Sequence, residues 1–470
     1  MKYSRFLSTK TLAYLSLSLP IFLLILLLRL PELEQGQIQK VGCVLPDKNV
    51  QIFPPVKPLF TPTPTPTPTP TQNQPQNTPA PNTSPQTTPS PKPSPQNQKP
   101  PTRRIAIVPI KDSPLVKVQQ NKYCVDEQIW GEKAQKGDKQ GLITAIDRSL
   151  QYLQTDKAEA AYKGYQVAGI TRDRVTRSLQ RFRQLLLQSK SSAELAEAVN
   201  REFTFYQAIG SDGKGTVLYT AYFEPLYNAS RTRTAEFRYP VFRRPPDFDS
   251  WKRPHPTRLQ LEGVDGLQWE KGKLKGLEMF WFRDRLEPFM AQIQGSARLK
   301  LTDGTETSIN YGGSTRQNYV SIGREMANDG KLAIEGLRMQ TIEQYFKSNP
   351  QDLNVYLPRN PSFVFFRETH GNPAKGSIGV PLIAERSIAT DKSLMPPGAL
   401  ALIRSSFPFY IGGGNKEIRR VTRYVLDQDT GGAIKGAGRV DYFLGTGYIA
   451  GERSGLTVSN GQLYYPLLRK

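Results

Sequence analysis

Apolar residues recur along this chain in three distinct patterns. Residues 11–30, TLAYLSLSLPIFLLILLLRL, form a nearly continuous apolar run of about 20 residues, long enough to cross a bilayer. After Asp138 the spacing becomes helical: Leu142, Ile146, Leu150 and Leu153 predict one amphipathic helix, and Val175, Leu179, Phe182 and Leu186 predict another. Ser191, with Glu194 three positions on, reads as the capping box of a third. From about residue 215 the period shortens. TVLYTAYF, RYPVFRR, ARLKLTDG, SFVFFRE, ALALI and RRVTRYVLD predict strands separated by Gly, Pro and Asn turns, interrupted by one helix over 335–349. Many short strands with Gly-rich turns predict barrels rather than a parallel α/β sheet.

Between the first pattern and the second lies a segment that cannot bury a core. Residues 54–101 hold 18 of the 39 prolines, including TPTPTPTPTPT, and predict an extended polyproline II spacer. At full stretch its reach is on the order of 150 Å. Lys2, Arg5 and Lys10 precede the apolar run, which favours a cytoplasmic N-terminus and export of the chain beyond residue 30. A cleavable signal peptide is the alternative, since Pro20 interrupts the run, but PELEQGQ after it has no small-x-small cleavage site. The expected layout is a basic stretch over 1–10, an anchor or signal sequence over 11–30 and a Pro-rich linker over 31–101. These would hold a globular head on the periplasmic side of the inner membrane. Cys43 and Cys124 either pair or remain single thiols; spacing leaves both open.

Composition narrows the chemistry. The balance of 63 Lys plus Arg against 41 Asp plus Glu gives +22, which suits nucleic acid, an anionic envelope polymer, or plain solubility. Export removes nucleic acid. With 2 Cys and 2 His at none of the usual spacings, a zinc cluster is excluded, and neither His255 nor His370 lies near a nucleophile motif. No glycine-rich phosphate cradle is present. Carboxylates are left to do any catalysis, with no metal and no cofactor.

The densest set of candidates is RYVLDQDTGGAIKGAGRVDYFLGTG, residues 423–447. Its ends read as strands joined by a glycine-rich turn. Alternation sets Val440, Tyr442 and Leu444 on one face and Arg439, Asp441 and Phe443 on the other, and puts Asp427 and Asp429 on a common face. If the two strands pair, Asp429 and Asp441 come close, and repulsion with partial burial keeps one carboxyl protonated near neutral pH. General-acid cleavage of a glycosidic bond needs such a group. Turn capping is the plain alternative for these aspartates, and Arg439 would pull the Asp441 pKa down.

These residues carry a resemblance. LYTAYFEPLY (218–227), FRYPVFRRPP, IQGSARLKLTDG (293–304), NYVSIGREM, MQTIEQYFKSNP, NPSFVFFRE and GVPLIAERSIATDKSLMPPGALALI stand in family order before the glycine-rich stretch. Over roughly residues 200–470 the chain resembles the membrane-bound lytic murein transglycosylase A family, with its C-terminal three-aspartate domain. The signature acids match Asp391, Asp429 and Asp441.

The resemblance implies a mainly β fold with an α-helical N-terminal part. A double-psi β-barrel is divided between 102–225 and 386–470, and a smaller β-barrel is inserted over 226–385. It implies cleavage of the β-1,4 bond between N-acetylmuramic acid and N-acetylglucosamine without water, giving 1,6-anhydromuramyl ends. Asp441 would act as acid and then base. Asp429, Thr220 and Lys435 would bind substrate or set its electrostatics, and Asp391 would be structural. Thr220 serves equally as a surface strand residue, and Lys435 as a solvated turn lysine. Peptidoglycan strands and the membrane are the implied partners, with wall-synthesis or division complexes beyond them. GSAR stands where GSGR is usual, and MPPGA where Thr often ends the motif. A hydrolytic glycosidase using Asp429 as base and a non-catalytic wall-binding protein are the rival readings.

Overall fold

The computed structural model describes residues 113–118, 125–132, 135–334, 337–412 and 414–469, with the short strand 52–53. The apolar run 11–30, the Pro-rich segment beyond that short strand, Cys43 and Cys124 lie outside the described residues. Among the described residues no helix is long and apolar enough to cross a membrane.

Four helices come first: α1 (Lys139–Leu153), α2 (Asp156–Lys163), α3 (Arg172–Gln188) and α4 (Ser192–Glu202). Their helical-period residues face inward. Leu142, Ile146, Leu153, Val175, Leu179, Phe182 and Leu186 are all buried, and Phe182 packs its ring 4.8 Å from that of Tyr424 in the sheet. The capping pair ahead of α4 forms by halves. Ser191 accepts from the Glu194 N–H at 3.2 Å, but the Glu194 carboxylate takes the N–H of Lys190 instead of that of Ser191.

Fourteen strands of three residues or more are present among the described residues. In chain order they are β1 (Leu115–Val118), β2 (Phe203–Ala208), β3 (Val217–Glu224), β4 (Leu226–Ala229), β5 (Tyr239–Phe242), β6 (Glu278–Phe282) and β7 (Ser296–Leu301). Then come β8 (Glu306–Ser314), β9 (Val364–Glu368), β10 (Ser387–Ala389), β11 (Leu400–Gly412), β12 (Asn415–Asp429), β13 (Arg439–Thr446) and β14 (Val458–Leu468). Six of them close on themselves: β12 pairs β10, β10 pairs β13, β13 pairs β3, β3 pairs β14, β14 pairs β11, and β11 returns to β12. The result is a barrel with two parallel pairs, β10 with β12 and β3 with β13. Closure leaves these six strands without a free edge. β2 and β1 extend the sheet outward from β14.

All of β4 to β9 lies in sequence between two barrel strands, β3 and β10. Within it β9, β8, β7 and β4 form a four-stranded sheet, and β5 pairs β6. Phe280, Trp281 and Phe282 are buried in this part's own apolar clusters. The helix expected over 335–349 occupies Met339–Ser348.

The pairing on which a close approach of Asp429 and Asp441 depended is not made. β12 and β13, the strands flanking the glycine-rich turn, do not pair with each other; β10 lies between them. A three-residue strand such as Ser387–Ala389 is too short to show periodicity, so nothing in the pattern announced it.

Candidate active site

The site begins as a row. Register sets Asp429 on β12, Ala389 on β10, Asp441 on β13, Thr220 on β3 and Val458 on β14 side by side. Partners in register share a face, and the same face continues with Phe443 opposite Tyr222 and Arg439 opposite Leu218. The alternate residues Tyr219, Val440 and Tyr442 fill the core behind and hold the row in register. With Ala389 between them, the Asp429 and Asp441 backbones stand two strand spacings apart, about 9–10 Å.

Asp441 is largely buried, with part of it still accessible. Burial pushes its pKa up, against the pull of the Arg439 guanidinium and of the Thr220 hydroxyl. That hydroxyl donates to Oδ1 of Asp441 at 2.5 Å. Of the two expected causes, partial burial and repulsion by Asp429, only burial acts. Asp429, one strand beyond Ala389, contributes nothing to it.

Asp429 is fixed on all sides. Its Oδ2 accepts from the Tyr222 hydroxyl at 2.7 Å, and its Oδ1 accepts from the N–H groups of Ser377 and Thr430 at 2.8 Å each. Burial raises its pKa, while these bonds pull the other way. Asp427 does not share its face. The register shifts after Ile388, so that Ile388 faces Asp427 while the next residue faces Asp429, which turns the two aspartates to opposite sides. Asp427 is wholly buried, bonded by Thr390, Tyr465 and Lys392.

Asp391 lies beside the glycine-rich turn. It is buried, yet bonds from Ser393 and the Gly436 N–H, with Lys435 nearby, hold its carboxyl below the usual range. Lys435 itself is exposed, within electrostatic reach of Asp391.

Two residues of the site were not picked out from sequence. Tyr222 bonds Asp429 and packs its ring 5.2 Å from that of Phe443; alternation from Thr220 in YTAYFEP was the available signal. Tyr319, from NYVSIGREM, feels the charges of both Arg439 and Asp441, although 120 residues of chain separate it from β13. No local pattern carries that approach. Glu224, at the end of β3, is a strut. Its Oε2 accepts from Arg298 of β7 at 3.0 Å and from Thr446 of β13 at 2.7 Å. Among the described residues no group of three or more His, Cys, Asp or Glu is placed to hold a metal ion.

Comparison with known proteins agrees with this layout. Residues 218–367 match the MltA specific insert domain, and residues 386–467 match the 3D domain. A membrane-bound lytic murein transglycosylase A homolog from Buchnera aphidicola is 30% identical over 270 residues, 57% of this chain and 70% of that protein. The chain belongs to the membrane-bound lytic murein transglycosylase A family. The Escherichia coli member is 32% identical over 254 residues, which span 53% of this chain and 65% of that relative, just under two thirds. Among solved structures, a membrane-bound lytic murein transglycosylase from Agrobacterium tumefaciens superposes with a TM-score of 0.57 at 27% identity. It covers 71% of this chain and 93% of its own. The fold is also that of E. coli MltA with bound chitohexaose, at a TM-score of 0.57 and 23% identity over 76% of this chain and 95% of that one.

Proposed function

We propose that this protein is a peptidoglycan lytic transglycosylase that cleaves the MurNAc-β-1,4-GlcNAc bond and leaves a 1,6-anhydromuramyl end. The observation that carries the reading is Asp441, partly accessible, driven toward its neutral form by burial and bonded to Thr220. A protonated Asp441 gives its proton to the leaving glycosidic oxygen as the bond to C1 breaks. The resulting carboxylate then takes the proton of the muramyl C6 hydroxyl as that oxygen bonds to C1. Asp441 ends protonated again, no water is consumed, and the nucleophile belongs to the substrate.

Asp429 suits support better than a second catalytic role. With Oδ1 taken by two backbone N–H groups and Oδ2 by Tyr222, its oxygens are engaged as fixed acceptors. In this reading it supports the rim of the groove beside Thr220, and exposed Lys435 meets acidic groups of the polymer. Asp391 pins the turn that carries Lys435.

The two parallel strand pairs suit a double-psi barrel divided between 102–225 and 386–470, with 226–385 as the inserted barrel domain. Residues 11–30 and the Pro-rich linker would tether the head to the inner membrane, facing the periplasm and within reach of wall-synthesis or division complexes.

Digestion of purified sacculi tests the reading. The expected products carry 1,6-anhydromuramyl ends, and they disappear in Asp441→Asn. Mostly reducing muramic ends would mean a hydrolase with Asp429 as base. Binding without turnover in the wild type would mean a wall-binding protein.

A further inference from the structure

Arg439 precedes Asp441 by two residues on the same face of β13, so the two Cα atoms lie about 6–7 Å apart. Asp441 and Tyr319 both lie within electrostatic reach of its guanidinium. Tyr319 approaches from the side of the glycine-rich turn. Its Cβ would lie 3.7 Å from a Cβ added at Gly432, so its loop packs against the glycine-rich turn.

The guanidinium is poorly used. It donates two long bonds, both from Nη1, to the carbonyls of Leu218 at 3.4 Å and Val440 at 3.3 Å. No carboxylate forms an ion pair with it among the described residues. Arg298, also half-buried and beside the barrel, is by contrast paired with Glu224. A half-buried guanidinium fork with free donors, opening beside the catalytic acid, is built for a planar anionic group from outside the chain.

We propose that Arg439 is a specificity-determining residue that binds the carboxylate of the muramyl 3-O-lactyl group when that sugar presents its C1 to Asp441. This rests on the transglycosylase reading. The lactyl ether is what distinguishes a muramyl from a glucosaminyl residue, and it projects from the same ring whose C1 reacts. The one-ring reach from C1 to that carboxylate is comparable to the two-residue step from Asp441 to Arg439.

The geometry has two consequences. A free lactyl carboxylate accepts both prongs of the fork, whereas a lactyl amidated by a stem peptide offers one neutral carbonyl, so peptide-free strands are preferred. An anion on Arg439 also cancels part of its pull on Asp441, favouring the proton-bearing form when a muramyl sugar is seated.

The test uses the full chain carrying Asp441→Asn, so that nothing is turned over. Calorimetry compares a peptide-free tetrasaccharide of alternating N-acetylglucosamine and N-acetylmuramic acid with chitotetraose, which lacks the lactyl group. Adding Arg439→Gln should weaken binding of the first about tenfold and leave the second within about twofold. Arg439→Lys, which keeps charge without the fork, should lie between them, and it carries the comparison if the Gln variant folds poorly. Equal losses on both sugars, or no loss on either, would overturn the assignment. If the parent binds neither sugar, the transglycosylase reading itself fails.

Discussion

Thr220 and Asp441 stand opposite each other on neighbouring parallel strands of the barrel, and the threonine hydroxyl donates to the aspartate at 2.5 Å. Their register is set from behind, where Tyr219, Val440 and Tyr442 are locked into the core. The bond works against burial. Desolvation favours the neutral carboxyl, while a donor on Oδ1 and the charge of Arg439 favour the carboxylate. A group that must give up a proton and then recover it is well served by such opposing influences.

Thr220→Val deletes the donor and keeps the shape. With less to favour the carboxylate, the Asp441 pKa rises further. The active form at the start of the cycle is protonated, so the alkaline limb of the pH–rate profile moves to higher pH. Loss of orientation and of support for the charged intermediate lowers kcat by about tenfold to a hundredfold. Thr220→Ser, which restores a hydroxyl, should recover most of both effects. An unmoved alkaline limb in the Val variant would detach Thr220 from the chemistry.

Asp441→Asn should abolish turnover, by about a thousandfold or more, and stabilise the fold. The folded-state pKa of Asp441 is raised by burial, so the native state holds its proton more tightly than the unfolded chain does. The contribution of Asp441 to wild-type stability is therefore greatest below the unfolded pKa and is lost as pH climbs through the folded pKa. Asparagine removes that decline. Near neutral pH the Tm should rise by about 2–4 °C, the size of an effect of about 1 kcal/mol in a domain of this kind. The two Tm curves should converge in acid. A lower Tm at neutral pH would contradict a burial-raised pKa.

The early helices and the strand-rich remainder were legible because each buries one periodic face, as Leu142, Ile146, Val175 and Phe182 show. The partners of a strand were not. Pairing across the barrel brings Thr220 beside Asp441 over 221 positions of chain, and periodicity carries no information about which strand lies alongside. The three-residue strand Ser387–Ala389 separated two carboxylates expected to meet, and the register shift beside it turned Asp427 inward. Arg439 could be placed on the Asp441 face from alternation alone. Its unpaired fork and the approach of Tyr319 required the three-dimensional arrangement.

The strut between β7 and the barrel is open to a direct test. Glu224 is buried and accepts from Arg298 and Thr446, while its Oε1 has no partner. Arg298→Met removes the compensating charge and leaves the carboxylate desolvated. Because Arg298 keeps a third of its surface exposed, the loss should be about 2–3 kcal/mol, short of that for a fully buried pair. The double variant with Glu224→Gln should recover part of it. Denaturant midpoints measure both, and additive losses would show that the two residues do not act as a pair.

The strand bearing Asp441 starts immediately after Gly438. A Cβ at this position would stand 2.3 Å from the backbone nitrogen of Ser211, a contact that no side-chain rotation relieves. The Gly438 carbonyl also accepts the Leu218 N–H at 2.8 Å, which ties the start of β13 to β3. Gly438→Ala must therefore drive the start of β13 and the Ser211 loop apart, straining the bond to Leu218 and shifting Arg439 and then Asp441 out of line with Thr220. The expected cost is about 1–3 kcal/mol of stability and a loss of turnover larger than that cost explains, since a displacement of about 1 Å can lower rates a hundredfold. Gly436→Ala is the control. That glycine has open space around its Cβ position, with a φ of +85° as its only strain, so it should lose stability without a matching loss in kcat. Folded protein at fixed concentration, assayed below the Tm of each variant, separates the two effects. Equal turnover in both variants would show that the spacing of β13 against β3 does not set the reaction geometry.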